Sequence, residues 1–273
     1  MHRRWYGPAA GAGEWFGTLP RMPEPHFELL TIFFPMWNEE AYIDRALDAA
    51  REVCEVLVEQ GEIGDYELLV VDDASTDATG RIADERAAAD RHVRVVHHPR
   101  NRKLGGSLKT GFASARGDLI LYSDADLPFD MDEVVKACRL MRHYDADIVS
   151  AWRFDRTGEG YVRTVYSFFY NLLVRLLFGL KMRDINFAFK LCRRRVFDHV
   201  VLESEGSFID AELVVRATRH GYKVVQFGVD YFPRTRGVST LSSPTVIVKI
   251  LREMWALRGE LRQIEPVEPA SVR

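Results

Sequence analysis

The chain has 273 residues, of which 47% are hydrophobic and 28% are charged, and its formal net charge is −3. These proportions are typical of a globular protein with a sizeable core, and the length suits one large domain or one domain with an appendage. The charge excludes the strong basic excess of most nucleic-acid-binding proteins, so we expect no nucleic-acid partner.

The N-terminal segment and the cysteines indicate where the protein works. Residues 1–26 are rich in Gly, Ala and Pro and contain no long apolar run, which predicts a flexible tail rather than a secretory signal. The three cysteines form no CxxC pair, which argues against a zinc site or a disulfide framework and fits a reducing compartment. We therefore expect a cytoplasmic location.

Strands and helices alternate through the first half of the chain. Short apolar runs predict strands at residues 29–34, 66–71, 92–96, 118–122 and 147–152. Helices are predicted from Asn38, as an N-cap, to about residue 58, and at residues 77–89, 105–115 and 131–143. Because the strands are apolar on both faces, we expect an α/β fold with a mostly parallel sheet covered by helices on both sides.

The second half is less regular. The pattern predicts helices at residues 162–180, 208–220 and 244–261, and strands at residues 185–191 and 223–231. We expect residues 27–240 to form the main domain, residues 241–264 a C-terminal amphipathic helix and residues 265–273 a frayed tail.

Polar residues follow three of the predicted strands, where parallel sheets bind their ligands. Asp124 and Asp126 can converge on one Mg²⁺ or Mn²⁺ ion, because these cations prefer oxygen ligands and also bind diphosphates. The alternative is a turn that caps the helix near Asp130. Asp73 could accept a hydrogen bond from a nucleobase or a ribose, while Ser75, Thr76 and Asp77 cap the next helix.

Two further features of the sequence have simpler explanations than ligand binding. Trp37 offers a flat face for a base or a sugar, although a tryptophan at a strand end more often serves packing. The Gly105-Gly106-Ser107-Leu108-Lys109 run lacks the spacing of a P-loop, and the chain has no GxGxxG. A nicotinamide-dependent oxidoreductase therefore lacks its main motif.

Taken together, the motifs resemble those of one enzyme family. They are Pro35-Met36-Trp37-Asn38-Glu39, Val70-Val71-Asp72-Asp73-Ala74-Ser75-Thr76-Asp77, Asp124-Ala125-Asp126 and Arg234-Thr235-Arg236-Gly237-Val238-Ser239. Over residues 29–240 the chain resembles the inverting family 2 glycosyltransferases with the Rossmann-like GT-A fold, and within them the polyprenyl-phosphate or dolichyl-phosphate mannose and glucose synthases. The resemblance implies a nucleotide-sugar donor such as GDP-mannose or UDP-glucose, a polyprenyl-phosphate acceptor, and Mg²⁺ or Mn²⁺ as cofactor.

The resemblance also assigns roles to residues. The implied nucleoside contacts are Pro35, Trp37, Glu39, Val71 and Asp73. The implied metal and diphosphate loop is Asp124, Ala125 and Asp126, and the implied phosphate-binding cations are Arg153 and Arg234. The chain departs from the family where Trp37 replaces the usual Tyr, where Pro128 replaces a Gln of many mannose synthases, and where Thr240 replaces the Lys of the late motif.

The sequence is compatible with more than one class of acceptor. A phosphate acceptor needs no general base, whereas a hydroxyl acceptor would need a carboxylate such as Asp210 or Glu212, which could instead be acids favoured by a helix N-terminus. A non-catalytic nucleotide-sugar-binding protein is a third hypothesis.

The helix at residues 162–180 has a polar stripe on an otherwise apolar surface, formed by Arg163, Ser167, Asn171 and Arg175. It could lie on a membrane surface with its stripe toward the acceptor headgroup, or be buried in the protein. We also expect a membrane-protein partner or a homo-oligomer as alternatives to direct membrane contact.

Overall fold

The computed structural model describes residues 25–154, 161–232 and 244–267. The strands are β1 (Phe27–Met36), β2 (Ile63–Asp72), β3 (Val93–His97), β4 (Leu119–Ser123), β5 (Ile148–Arg153), β6 (Phe189–Arg193) and β7 (Val224–Val229). The α-helices are α1 (Ile43–Glu59), α2 (Thr79–Ala89), α3 (Lys103–Ser114), α4 (Glu133–Tyr144), α5 (Tyr161–Phe178), α6 (Ile209–Arg219) and α7 (Pro244–Gln263). A short 3-10 helix, Arg194–Asp198, follows β6.

The strands of the described residues form one sheet in the order β3-β2-β1-β4-β6-β5-β7. β1, β2, β3 and β4 pair in parallel, and so do β5 and β7, whereas β6 runs antiparallel to both β4 and β5. The predicted mostly parallel sheet is therefore confirmed. The antiparallel β6 joins the two parallel sets.

Helices cover both faces of the sheet, because the strand side chains alternate between two cores. On β1, Leu30, Ile32 and Phe34 face the core that α1 and α4 complete. Phe33 faces the opposite core, which α3 and α6 complete. Helix α3 approaches β1 so closely that a Cβ added at Gly111 would overlap the Phe33 ring.

Helices α5 and α7 form a third apolar cluster with α6. The buried residues Val174 and Phe178 of α5 meet Ile250 and Met254 of α7 over Phe208. Arg262 Nε of α7 donates to the carbonyl oxygen of Leu177 at 3.2 Å, which ties the two helices together. No helix of the described ranges combines the length and the hydropathy that a bilayer crossing requires.

Two local predictions were wrong. Asn38 does not cap a helix, because it has a left-handed backbone (φ 57°) and α1 begins only at Ile43. The strand predicted at residues 185–191 begins at Phe189 instead. Asp184 is left-handed (φ 47°) and its carbonyl oxygen accepts from Phe187 N at 3.1 Å, so a buried turn precedes the strand.

Most of the predicted boundaries of the tails and of the main domain lie outside the residues that the structure describes. Residues 1–24, 233–243 and 268–273 lie outside the described part of the chain, and with them Arg234 and Thr240. The domain boundaries stay a prediction.

Candidate active site

The loops after β1 and β2 begin side by side, because Met36 lies opposite Asp72 in the sheet. They are joined by reciprocal hydrogen bonds. Asn38 N donates to Ser75 Oγ at 3.0 Å, and Thr76 N donates to Asn38 Oδ1 at 2.7 Å. The side chain of Asn38 therefore connects the two loops instead of starting a helix.

The two carboxylate oxygens of Asp77 accept hydrogen bonds from two different segments. Its Oδ1 accepts from Thr79 N at 2.9 Å, at the start of α2, and its Oδ2 accepts from Glu40 N at 3.2 Å in the first loop. Glu39 N donates to Thr79 Oγ1 at 2.8 Å. Asp77 thus accepts from the first residue of α2, although Ala78 occupies the N-cap position, and the same residues fix the first loop against α2.

Asp73 is buried and held in one orientation. Its Oδ1 lies 2.7 Å from His98 Nδ1 and accepts from Arg102 N, also at 2.7 Å. Since a carboxylate can only accept here, Nδ1 of His98 carries the proton, and its Nε2 can accept from the Thr110 hydroxyl at 2.8 Å. None of the described residues donates to Oδ2 of Asp73, which leaves that oxygen for the predicted contact with a base or a ribose.

The neighbouring Asp72 forms an ion pair beneath the same loop. Its carboxylate lies 2.8 Å from His97 Nδ1 and accepts from Ser75 N at 3.0 Å. Burial works to raise the pKa of Asp72, but the hydrogen bonds from Ser75 and His97 outweigh it, so the pKa is lowered. The hydrogen bond with Asp72 raises the pKa of His97, against a smaller opposing effect of burial, and Asp84 adds to the rise.

Asp124 and Asp126 follow β4, next to β1 in the centre of the sheet. Between and after them, Ala125 and Leu127 are buried in the core, whereas both aspartates are partly exposed. Leu127 is left-handed (φ 52°) and donates to the carbonyl oxygen of Asp124 at 3.3 Å, so the chain turns sharply around the two carboxylates. Asp130 forms the turn of the alternative interpretation, because its Oδ1 accepts from Asp132 N at 3.0 Å.

This pair fits a divalent cation by its chemistry. Two partly exposed carboxylates two residues apart provide only oxygen, which Mg²⁺ and Mn²⁺ prefer. The described residues contain no group of three or more His, Cys, Asp or Glu that could hold a metal. Further ligands would therefore come from a bound diphosphate and from water, as the Pro128 substitution also implies.

Tyr122 supports the pair from below. Its hydroxyl lies 3.4 Å from Asp124 Oδ1, at the long end of hydrogen bonding. Burial, and then the charge of Asp124, raises the pKa of Tyr122 far above its usual value. The phenol therefore stays protonated and can donate to the carboxylate.

The other predicted nucleoside residues differ in exposure. Trp37 is 52% exposed, so its ring is accessible to a ligand. Pro35 and Glu39 are partly buried at the same edge of the sheet. Val71 is fully buried in the core, so any contact with a nucleoside must use its backbone.

Arg153 ends β5 in a buried ion pair that the sequence did not predict. Its Nε lies 2.6 Å from Asp184 Oδ2 and its Nη2 lies 2.7 Å from Asp184 Oδ1. The guanidinium also lies over the rings of Phe187 and Tyr231, at 5.4 and 5.0 Å. The phosphate-binding role of Arg153 stays a prediction, and on this geometry its removal would also affect stability.

The two candidate bases lie at the start of α6 and are both buried. Lys190, fully buried on β6, places its Nζ 3.1 Å from Asp210 Oδ1 as an ion pair, although not as an aligned hydrogen bond. Burial raises the pKa of Asp210, and the Lys190 ammonium offsets this only in part. Glu212 accepts from Arg216 Nε at 2.7 Å and from Ser204 N at 2.8 Å.

Three residues of this region were missed in the sequence: His98, Asp184 and Lys190. A signal existed for Lys190, because a lone lysine within an apolar strand must find a buried anion. No local pattern marks Asp184 or His98, whose partners lie 31 and 25 residues away along the chain.

Comparison with known proteins decides the family. The model of the family "Glycosyl transferase family 2" matches residues 31–201, more than half of the chain. The chain belongs to glycosyl transferase family 2. The matched region of this family 2 chain includes the loops after β1 and β2, the Asp124–Asp126 turn and Arg153, and the predicted family is confirmed.

Similar proteins of known name are also glycosyltransferases. "Glycosyltransferase AglD" of Haloferax volcanii is 32% identical over 240 residues, which are 84% of this chain but only 37% of AglD. An undecaprenyl-phosphate mannosyltransferase of Micrococcus luteus is 30% identical over 247 residues, covering 85% of this chain and 96% of that protein. A polyprenol monophosphomannose synthase of Mycolicibacterium smegmatis is 29% identical over 84% of this chain and 88% of its own length.

A solved structure confirms the predicted GT-A fold. The crystal structure of glucosyl-3-phosphoglycerate synthase from Mycobacterium tuberculosis, in complex with Mn²⁺ and UDP-glucose, matches with a TM-score of 0.64 at 19% identity. The match covers 90% of this chain and 82% of that chain. At this identity the likeness establishes the fold.

Proposed function

We propose that this family 2 glycosyltransferase moves a hexose from a nucleotide-diphosphate sugar to a polyprenyl phosphate, with inversion at the anomeric carbon. The names of the Micrococcus luteus and Mycolicibacterium smegmatis relatives support a polyprenyl-phosphate acceptor. The proposal of a nucleotide sugar and of Mg²⁺ or Mn²⁺ is supported by the fit of the Asp124–Asp126 turn to a divalent cation.

The observation that carries the choice of acceptor is the pairing of both candidate bases. A hydroxyl acceptor needs a general base within hydrogen-bonding reach of its proton. Asp210 is buried against Lys190, and Glu212 is fully buried and held by Arg216 and two backbone N–H groups. Neither carboxylate is presented to a substrate, whereas a phosphate monoester already carries negative charge at neutral pH.

In this mechanism the chain mainly positions two anionic substrates. Asp73, whose Oδ1 is held by His98, accepts through Oδ2 from the base or ribose of the donor, and the exposed ring of Trp37 packs on that base or ribose. A cation held by Asp124 and Asp126 would offset the charge that develops on the departing diphosphate. Arg153, oriented by Asp184, and Arg234 bind phosphate oxygens and reduce the repulsion between donor and acceptor.

The proposal is tested by transfer of radiolabelled sugar. GDP-mannose and UDP-glucose are each incubated with Mg²⁺ or Mn²⁺ and with polyprenyl phosphate, the matching polyprenol, or a soluble glycan. We expect label in the organic phase only with polyprenyl phosphate. Label on the polyprenol or the glycan instead would establish a hydroxyl acceptor, and no transfer with any acceptor would favour a binding protein.

A pair of variants connects the activity to the metal turn. Asp126→Ala is expected to lower turnover by on the order of a hundredfold or more, because the charge on the leaving group is no longer neutralised. Asp130→Ala removes a nearby exposed carboxylate that only caps a turn, and it serves as the matched control. Equal activity of the two variants would contradict the assignment.

A further inference from the structure

Helix α5 is apolar on two opposite sides. One side packs into the protein through Val174 and Phe178. The other side exposes Val165, Phe168, Phe169, Leu172 and Leu176, with Phe168 at 63% and Leu176 at 71%. Large exposed apolar patches on a globular protein indicate an interaction surface.

Helix α7 has the same arrangement, with cations beside its exposed apolar residues. Ile250 and Met254 are buried, whereas Val248, Leu251 and Trp255 are exposed, Trp255 at 60%. Leu251 therefore belongs to the outer side of α7. The guanidinium of Arg258 lies 3.7 Å from the centre of the Trp255 ring.

Helices α5 and α7 contact each other and share one buried cluster with α6, so their exposed residues lie on neighbouring parts of the protein surface. We call this region the α5–α7 face, defined by its exposed apolar residues Val165, Phe168, Phe169, Leu172, Leu176, Val248, Leu251 and Trp255. Asn171 of the polar stripe predicted on α5 is not part of this face, whereas Arg175 of the same stripe is exposed beside it. Asn171 of that stripe faces the protein, where its Oδ1 accepts from Ile185 N at 3.2 Å.

Among the described residues of α5 and α7, the charged side chains on the outer sides of the two helices are cationic. Arg175 of α5 and Arg252 and Arg262 of α7 are exposed, and the α5 sequence contains no acid. The two acids of α7 are directed toward the protein: Glu260 lies 2.7 Å from Arg216, and Glu253 is half buried beside Gly206. Apolar residues with a tryptophan and flanking arginines are the composition of a surface that lies in the headgroup region of a bilayer.

We propose that the α5–α7 face binds the surface of a membrane that contains anionic lipid, with its apolar side chains inserted and its arginines on the lipid phosphates. This surface lies outside the catalytic turn and goes beyond the proposed function, on which it rests only for the lipid nature of the acceptor. An anionic bilayer is favoured over a second copy of this chain, because two copies would bring the same arginines face to face.

The face lies one helix away from the candidate active site. Asn171 on the inner side of α5 binds the backbone of Ile185, and the preceding Asp184 holds Arg153. A helix with its side chains is about 10 Å across. Docking through α5 would thus bring the phosphate-binding arginine close to the headgroup layer, where a polyprenyl phosphate presents its phosphate.

The test is flotation of the full chain with vesicles that contain neither polyprenyl phosphate nor donor. Vesicles of phosphatidylcholine alone are compared with vesicles that also contain phosphatidylglycerol, at low and high salt. We expect binding to the anionic vesicles that weakens with salt. Absence of binding would overturn the proposal whether or not sugar transfer is found, because the assay does not depend on catalysis.

Matched variants locate the contact. Phe168→Ser combined with Leu176→Ser is expected to weaken binding by at least about tenfold, and Arg252→Gln by about fivefold. Val201→Ser, which is 66% exposed outside the face, and Arg81→Gln on α2 are the controls and should bind as the wild type does.

Three further results would contradict the proposal that the α5–α7 face binds the membrane. Val201→Ser losing as much binding as the double variant would contradict its location. A dimer in light scattering that the double variant converts to monomer would identify a second copy as the occupant. Thermal melting should be unchanged in all variants, and each should retain transfer to a short, water-soluble isoprenyl phosphate; loss of that transfer in the double variant would mean that the face acts in catalysis instead.

Discussion

Replacing Asp210 with asparagine removes the carboxylate opposite Lys190 and keeps the size of the side chain. Because the ammonium of Lys190 is fully buried and lies 3.1 Å from Asp210 Oδ1, the variant leaves a buried cation without its anion. Removing one partner of such a pair typically costs about 3–5 kcal/mol of unfolding free energy. For a chain of this size that corresponds to a fall in melting temperature of roughly 10 °C.

The effect on activity should be small in comparison. Loss of a general base lowers turnover by about a hundred- to ten-thousandfold. If Asp210 only neutralises Lys190, the variant should lose much less than a hundredfold of its turnover with polyprenyl phosphate. The rates are compared at a temperature where the variant is folded. Adding Lys190→Met removes the second charge and should restore part of the lost stability.

The two quantities are measured on the same protein samples. Thermal unfolding gives the stability of the wild type, Asp210→Asn and the double variant, and initial rates of labelled sugar transfer give the activity. An Asp210→Asn variant with unchanged melting temperature and a hundredfold loss of turnover would refute the reasoning, because Asp210 would then act as a base.

Three other predictions address the surrounding structure. His97→Asn should remove stability that the wild type has below about pH 6.5 and loses as the pH rises through the raised pKa of His97; the difference in melting temperature should shrink from about pH 5.5 to about pH 8.5, and a constant difference would contradict it. Gly111→Ala should lower the free energy of unfolding, measured in urea, by about 1–3 kcal/mol, because the added Cβ would overlap the ring of Phe33. Gly259→Ala, at a helical position with open space around it, should instead raise the free energy of unfolding by about 0.5–1 kcal/mol. Equal effects of the two glycine substitutions would contradict the close packing of α3. Arg153→Ala should lose about 3–5 kcal/mol of stability as well as affinity for the donor, since its buried partner is left unpaired; a variant as stable as the wild type would show that phosphate binding is its main role.

The sheet and its helices could be predicted from the sequence because apolar periodicity is a local property. Every predicted strand and helix occurs in the structure, with ends shifted by a few residues. The largest shifts concern the start of α1, at Ile43 instead of next to Asn38, and the start of β6, where Ile185 and Phe187 are apolar because they are buried in a turn and not because they form a strand. Apolar character alone does not distinguish these two environments.

The site was predictable in part. The residue types of the Asp124–Asp126 turn and of Asp73 suggest their chemistry in the sequence, and the structure places both at the carboxyl edge of the sheet. The partners that orient them were not predictable, because His98 and Asp184 are fixed by contacts between distant parts of the chain. The bridging role of Asn38 was not predictable either, because a helix cap and a bridge between loops use the same amide oxygen.

The central claim is that Asp124 and Asp126 hold a divalent cation together with the diphosphate of the donor. It is tested most directly by titrating Mn²⁺ into the protein, with and without a nucleoside diphosphate, and following the electron paramagnetic resonance signal of free Mn²⁺. The account predicts that the nucleotide increases Mn²⁺ binding to the wild type and to Asp130→Ala but not to Asp126→Ala. Equal Mn²⁺ binding by Asp126→Ala and the wild type in the presence of the nucleotide would contradict it.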